Sequence, residues 1–592
     1  MRERMGLEGF WQGRLELNPE IDVESPAVIE QPFHVPTPWN LQIRHWRRLA
    51  NDLELSGIVK PLQNQNFRDI QRRFSEGTIT LSRTVSILPE RIQAIADGKL
   101  RAFLVFEGSN YRTDVTWNGA PAGDHEGGHL PFEFEISRLL TAGENRVTVK
   151  VDNLRRKHAC PQEQFNWMNY GGPYRPVYIE WRTPVFIRNV QIQPGRDASG
   201  WFADITATLS DPVAATLSLE LESGNHTSRS LLAVQSGTGS TRLRVDTPCL
   251  WEPGRGGTSS LRVRFDPDQG DACCKSFGFR TVEISGPEIR VNGKRVFLKG
   301  ASFHEQHSTF GNSVPAWVSD SDVRLMQYAG LNAVRTSHYP HADSFYEACD
   351  RHGLMVISEM PCWQFNQWHF ERESMRTFCI AYAREMVDHL GHHPAIIGWG
   401  VHNESHTFEP GAVEFFGAIA QSFKTSDPTR FTASAESTRP PQHLAVAASD
   451  KIMTSLPPTA AVVDVVGVNN YAGWYSHKAT GMAEMLDSIH QENPDRPLMV
   501  TEFGAEGIPG CRSWTLEPWT EDYQAALVGR HLKTILARPW LSGFFIWLFA
   551  DYECSSIGII GINSKGLVDG DRRPKPVFET VRRLLNPEAY HD

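Results

Sequence analysis

The sequence predicts a multidomain α and β protein: a jelly-roll β-sandwich over residues 1–183, an immunoglobulin-like β-sandwich over 184–284 and a (β/α)8 TIM barrel over 285–592. Three observations carry that expectation. The chain has 592 residues, and a single core stops growing at about 250–300. Up to Ile284 it reads as short alternating runs separated by Gly, Asn, Asp and Pro. After Pro287 apolar runs alternate with helical patterns, the signature of parallel βα units.

In the first unit the runs 78–82, 102–106, 114–117 and 146–151 are strand-like, and Asn118-Gly119 and Gly127-Gly128 supply turns at sandwich spacing. The second continues the alternation through 186–193, 203–209, 216–221 and 261–265, without the Cys…Trp…Cys spacing of true immunoglobulin domains. The third contains eight apolar runs, at 296–302, 333–336, 354–358, 396–401, 431–435, 465–468, 498–501 and 544–549. Helical patterns such as 375–390 and 523–536 fall between most of them. In a barrel of this kind the chemistry sits at the C-terminal ends of the strands.

Composition narrows the function. With 40% hydrophobic and 22% charged residues the chain is neither disordered nor a membrane protein. Its first ten residues lack the apolar run of a secretion signal. Nine cysteines, two of them the adjacent Cys273 and Cys274, form no disulfide framework, and no C-x-x-C pair marks a structural metal, so a reduced cytoplasmic location is expected. A net charge of −10 argues against a nucleic-acid partner. It also removes any general attraction for anions, so anion recognition must be local.

The strand ends hold His304 and Glu305, then Arg335 to His338, Glu359, Asn403 with Glu404, Glu436, Asn469 with Tyr471, Glu502, and Trp547 with Asp551. Two of the runs stop at glutamates, Glu404 and Glu502. A carboxylate at the end of an apolar strand is costly without a partner or a task. Strands four and seven face each other across a barrel, so these two could flank a glycosidic bond. One carboxylic acid would protonate the leaving oxygen while the other carboxylate attacks from the opposite face. Asn403 could bond a sugar 2-hydroxyl, and Arg335 could keep Glu502 ionised by lowering its pKa. His304 and His338 are candidates for sugar contact and Trp547 for stacking on a sugar face. Glu359, Glu436 and Glu506 read as structural, since a lone strand-end glutamate is ordinarily a cap or an ion-pair partner.

The segments 299–305, with His304-Glu305, and 334–340, with Arg335 and His338, then Asn403-Glu404 and Thr501-Glu502, in that order on a barrel behind two β units, resemble glycoside hydrolase family 2. The resemblance implies a retaining mechanism, with Glu404 as acid/base and Glu502 as nucleophile. Asn563 and Lys565 are similar to the Asn-x-Lys motif of the family's β-glucuronidases, where such a pair would hold the C6 carboxylate of the sugar. The segment 469–475 is similar to their loop after strand six, which would place Tyr471 on the nucleophile. Three positions depart from that pattern. Asn166 stands where those enzymes carry a sugar-contacting Asp, Ile559 where many bacterial ones have Arg, and Phe303 and Gln306 flank His304-Glu305 where an Arg and an acidic residue often do.

The expectation is therefore a retaining exo-glycosidase that removes terminal β-D-glucuronic acid from a small-molecule or oligosaccharide β-glycoside. It needs no cofactor and no metal, and self-association into a homo-oligomer stays open. The alternatives are a β-galacturonidase, a neutral-sugar β-galactosidase of the same family, or a non-catalytic carbohydrate-binding protein.

Overall fold

A computed structural model describes residues 2–18, 28–43, 76–267, 270–437, 455–475, 481–554, 561–586 and 588. The amino-terminal sandwich sets a six-stranded sheet, ordered Val28–Val35, Gly9–Leu17, Gly77–Ile87, Gly143–Asp152, Arg112–Trp117, Ala120–Glu126, against a four-stranded one, ordered Glu3–Gly6, Val177–Arg182, Arg101–Phe106, Phe132–Glu135. Burial alternates with period two along Gly9–Leu17, so Trp11 and Leu15 point inward. There they join Leu81, Leu104, Val149 and Ile179 in one core. Asn118 and Gly119, at φ 50° and 82°, turn the hairpin from Trp117 to Ala120. Both residues in the left-handed region match the right-handed twist of the flanking strands, which is why Asn-Gly suits the site.

In the second sandwich Ile187–Asp197, Gly200–Leu209 and Thr238–Val245 pack on His226–Val234, Ala215–Ser223, Ser259–Phe265 and Ala272–Phe277. Ile205, Leu219, Val263 and Phe277 fill the space between the two sheets. All nine cysteines are free thiols, so apolar burial rather than cross-linking holds the layers together.

Eight parallel strands close the barrel: β1 (Leu298–Phe303), β2 (Ala333–Thr336), β3 (Met355–Glu359), β4 (Ile396–Asn403), β5 (Phe431–Ser437), β6 (Val465–Asn469), β7 (Leu498–Glu502) and β8 (Gly543–Ile546). Two of the departures from the predicted runs shape the site. β4 continues to Asn403 through a register shift between Gly400 and His402, a bulge that re-aims the residues beyond it. β8 stops at Ile546, because the Trp547 and Leu548 amides leave the ladder to donate to the carbonyls of Phe503 and Lys565. Among the described residues no helix is long and apolar enough to cross a membrane.

The sandwich grips the mouth of the barrel. Arg175 donates to Glu305 at 2.7 Å, both side chains are buried, and the other Glu305 oxygen accepts the Ala342 amide at 2.7 Å. Tyr170 donates to Glu553 at 2.9 Å alongside. These contacts press the chain between Asn153 and Tyr174 onto the barrel. Replacing Arg175 by Ala leaves the Glu305 carboxylate buried with its charge unanswered, which costs about 3–5 kcal/mol. The expected outcome is a lower urea midpoint for Arg175→Ala, largely recovered in the Arg175→Met/Glu305→Gln double variant.

Candidate active site

A cavity of about 410 Å³ opens at the C-terminal end of the barrel, and Asn403, Glu404, Asn469, Tyr471, Glu502 and Trp547 line it. Its volume falls in the usual range for small-molecule sites. His338, Asn563 and, from the sandwich, Asn166 with Gln164 complete much of its wall. The residues predicted from strands four, six and seven therefore meet in one space.

Arg335 lies beneath that space with 1% of its surface exposed. Its guanidinium donates to Glu359 at 2.5 Å, to Glu502 Oε1 at 2.9 Å and to Asn403 Oδ1 at 2.8 Å. Arginine can only donate, so the Asn403 oxygen must face it and the Asn403 amino group must turn away. Asn469 Nδ2 bridges Asn403 Oδ1 at 3.1 Å and Glu404 Oε1 at 3.0 Å, and Asn469 Oδ1 accepts from Thr501 at 2.7 Å. An unbroken run of hydrogen bonds thus joins the two carboxylates, from Glu404 through Asn469, Asn403 and Arg335 to Glu502.

The carboxylates occupy different environments. Glu502 is buried and its second oxygen accepts from the Tyr471 hydroxyl at 2.7 Å. Burial pushes its pKa up to about 7, opposed by Arg335, reinforced by the nearby Glu404, and opposed again by Tyr471. Arg335 lowers the Glu502 pKa as expected, but the cost of enclosing the charge outweighs that attraction, so the net shift is upward rather than downward. Glu404 is half-buried, accepts from Gln364 at 3.3 Å, and takes φ 48°. That left-handed conformation is costly for a residue with a Cβ. The Glu404 amide, bonded to the Ala435 carbonyl at 2.8 Å, holds it there.

Glu359 does more than cap its strand. It is buried, pairs with Arg335, and accepts from His338 Nδ1 at 2.8 Å. Burial raises its pKa, but Arg335 and His338 outweigh burial and hold the carboxyl below its ordinary value. Burial also lowers the His338 pKa, so the ring is neutral near pH 7. With Nδ1–H donated to Glu359, Nε2 carries the lone pair, 4.0 Å from Glu502. Trp547 stacks on the His338 ring at 5.2 Å and presents its remaining surface to the cavity. Glu436 fits the structural reading, since it is fully buried among Thr407, Thr459 and His402.

Three of the predicted substrate-binding residues do not line the cavity: Arg335, which lies beneath it, His304 and Lys565. His304 lies behind the wall, stacked on Tyr552 at 4.2 Å and edge-on to Trp547 at 5.5 Å, because those two larger rings cover it. Lys565 is 1% exposed and donates to Glu506 at 2.5 Å, behind Tyr475 and Trp474. Burial works against its charge, but Tyr475 and Glu506 more than compensate and raise its pKa. The same glutamate accepts from the Ser564 hydroxyl at 2.6 Å, which fixes the loop beside Asn563. Ile559 lies outside the described residues.

Sequence reading missed Gln164, Trp363, Gln364, Ser437, Tyr475 and Tyr552, all of which line the cavity. Trp363 and Gln364 arrive because the loop after β3 runs alongside Asn403: the Asn403 amide donates to the Cys362 carbonyl and the Gln364 amide to the Asn403 carbonyl. Only their position shortly after a barrel strand could have marked them.

A model of the glycosyl hydrolases family 2 TIM barrel domain matches residues 282–589, and a model of the sugar binding domain of that family matches 20–184. The β-glucuronidase of Paenibacillus borealis is 28% identical over 523 residues, covering 81% of this chain and 84% of that one. The β-glucuronidase of Sus scrofa is 28% identical over 640 residues, covering 100% and 92%. Among solved structures, Bifidobacterium dentium β-glucuronidase complexed with coumarin-3-O-glucuronide superposes with a TM-score of 0.83 at 25% identity, covering 99% of this chain and 97% of that one. A β-galacturonidase from Eisenbergiella tayi bound to galacturonate shares the fold, with a TM-score of 0.80 at 23% identity and coverage of 99% and 97%.

The position of Glu502 has a consequence for stability. Its folded pKa of about 7 lies above the ordinary 4.5, so the stability it contributes is full below pH 4.5 and is lost as pH rises through 7. Glu502→Gln removes that loss, on the order of 3 kcal/mol. Thermal midpoints should therefore show the variant gaining on the wild type as pH rises from about 5 to 8. A difference independent of pH would contradict the burial argument.

Proposed function

The chain belongs to glycosyl hydrolase family 2, and from that membership and the geometry of its site we propose that it is a retaining exo-β-glucuronidase. Glu502 is the nucleophile and Glu404 the general acid and base. The observation that carries this reading is the pair of glutamates in one cavity with unlike partners. Glu502 is held by Arg335 and Tyr471, groups that stabilise and orient an anion. Glu404 is half-buried in the cavity wall and accepts from the amides of Asn469 and Gln364, which leaves it open to the leaving oxygen and to water.

In the first step Glu404 protonates the glycosidic oxygen while a Glu502 oxygen attacks the anomeric carbon, forming a glycosyl ester as the aglycone leaves. In the second, Glu404 takes a proton from water, which attacks the same carbon and releases Glu502, with overall retention. Asn403, its oxygen committed to Arg335, offers its amino group to the sugar 2-hydroxyl, a contact that strengthens as the oxocarbenium character grows. His338 Nε2 can accept from a neighbouring hydroxyl, and Trp547 supplies an apolar face.

Glucuronide is supported as substrate by the relatives named above, one of them bound to a glucuronide. Asn563 lines the cavity and Lys565 lies just behind it, a local cation in a protein with net charge −10. One observation favours a neutral sugar instead: the charge of Lys565 is already answered by Glu506. A panel of p-nitrophenyl β-glycosides decides between them. Glucuronide should exceed galacturonide and galactoside in kcat/KM, and a galactoside preference would overturn the uronide reading. Nine free thiols suit a reducing, cytoplasmic setting.

Glu404→Ala should lose most activity on substrates with poor leaving groups and much less on activated aryl glycosides, which need little protonation. Glu502→Ala should be inactive on both. If both variants lost activity equally on both substrates, the separate roles given to Glu404 and Glu502 would be wrong.

Lys565→Ala alone would strand Glu506 in the interior, so the informative variant is Lys565→Met with Glu506→Gln. Removing the cation this way should lower kcat/KM on the glucuronide by about 10²–10³-fold, the loss expected for a charge-assisted contact. The weak rate on the matching glucoside should hardly change. Equal losses on the two would mean that the carboxylate is recognised elsewhere.

A further inference from the structure

Cys160, Cys362 and Cys379 are far apart in the chain, yet their sulfurs converge. Cys160 comes from the sandwich loop that covers the barrel mouth, Cys362 from the loop after β3, and Cys379 from the helix Glu373–Leu390. The Cys160 and Cys362 sulfurs are 3.9 Å apart, as are those of Cys362 and Cys379, and all three lie within 4.8 Å of one another. None is more than 1% exposed.

Those separations are too long for a disulfide and close to what a single ion would impose. With metal–sulfur bonds of about 2.3 Å, sulfurs around a tetrahedral ion lie about 3.8 Å apart and around a trigonal one about 4.0 Å. A second observation points the same way. The Tyr382 hydroxyl, one turn from Cys379 on the same helix, is buried and has no hydrogen-bond partner among the described residues. A buried polar atom left unpaired in a native protein calls for an explanation, and an ion at the centre of the thiols would supply one.

The backbone already holds the donors in place. The Cys160 amide donates to the Tyr111 hydroxyl at 3.0 Å, and the Cys362 carbonyl accepts the Asn403 amide at 3.0 Å. Such support is what keeps a ligand set assembled. Soft thiolate donors select zinc and copper(I) over hard cations.

We propose that Cys160, Cys362 and Cys379 form a structural zinc site, with the Tyr382 hydroxyl as an oxygen partner. Binding exchanges three thiol protons for one Zn²⁺, giving three zinc–sulfur bonds and releasing the protons to solvent, with no change of oxidation state. The ion would tie the sandwich loop to the barrel beside the active cavity. Trp363, the neighbour of Cys362, lines that cavity, and Gln364 bonds Glu404.

The test is elemental analysis of the reduced full-length protein, purified without chelators or a metal-affinity step, followed by competition for zinc against a chromophoric chelator. The expected result is about one zinc per chain, displaced by Cd²⁺ with the appearance of thiolate-to-cadmium absorption in the ultraviolet. Cys379→Ala and Cys362→Ser should lose that absorption while keeping the wild-type circular dichroism. The wild type also decides the matter without the variants. If it carries no zinc, shows no cadmium–thiolate band and loses no zinc-protected thiols in a thiol titration, the three cysteines are packed thiols and the proposal fails.

Discussion

A guanidinium sealed inside a barrel must have its charge answered, and Arg335 has it answered twice, by Glu359 and by Glu502. Each answer fixes something else. Glu359 also holds His338 Nδ1, which sets the tautomer of a ring that lines the cavity. The remaining face of the guanidinium takes the Asn403 oxygen, which turns that amide and, through Asn469, reaches Glu404. Replacing Arg335 by an uncharged residue would leave two buried carboxylates facing each other, the situation that most strongly disfavours ionising both. The separate environments of Glu404 and Glu502 thus depend on one cation that lies beneath the cavity floor.

Much of this was legible in the sequence because barrel strands are continuous apolar runs and the groups at their ends are read directly. Asn403, Glu404, Asn469, Tyr471, Glu502 and Trp547 were all reached in that way. Contacts between loops were not. Glu506 and Lys565 are 59 positions apart and pair only because the loops after β7 and β8 meet. Glu305 looked like a strand-end carboxylate, but its partner Arg175 belongs to the sandwich, and no pattern within the barrel could announce it. His304 holds the predicted place in the chain, but Trp547 and Tyr552 stand in front of it. The three converging cysteines follow the same logic, since a ligand set assembled from a sandwich loop, a barrel loop and a helix has no spacing motif.

The sandwich is therefore more than a neighbour of the barrel. Asn166 and Gln164 reach the cavity from a segment that Arg175 and Tyr170 hold down. Trp167 packs against His338, Tyr339 and Trp363, so the wall around Glu502 is built from both units. Charges behind the cavity wall are likewise paired locally. Lys565, 1% exposed behind Tyr475 and Trp474, has its charge answered by Glu506.

The central claim is that Glu502 bonds covalently to the sugar. An activated 2-deoxy-2-fluoro-β-D-glucuronide, whose electron-withdrawing fluorine slows both steps while its good leaving group keeps the first one fast, should trap that ester. Intact-protein mass spectrometry should then record one added fluoroglucuronyl group, and peptide mapping should locate it on Glu502. A label on Glu404, or no label together with an α-configured first product in NMR, would contradict the account.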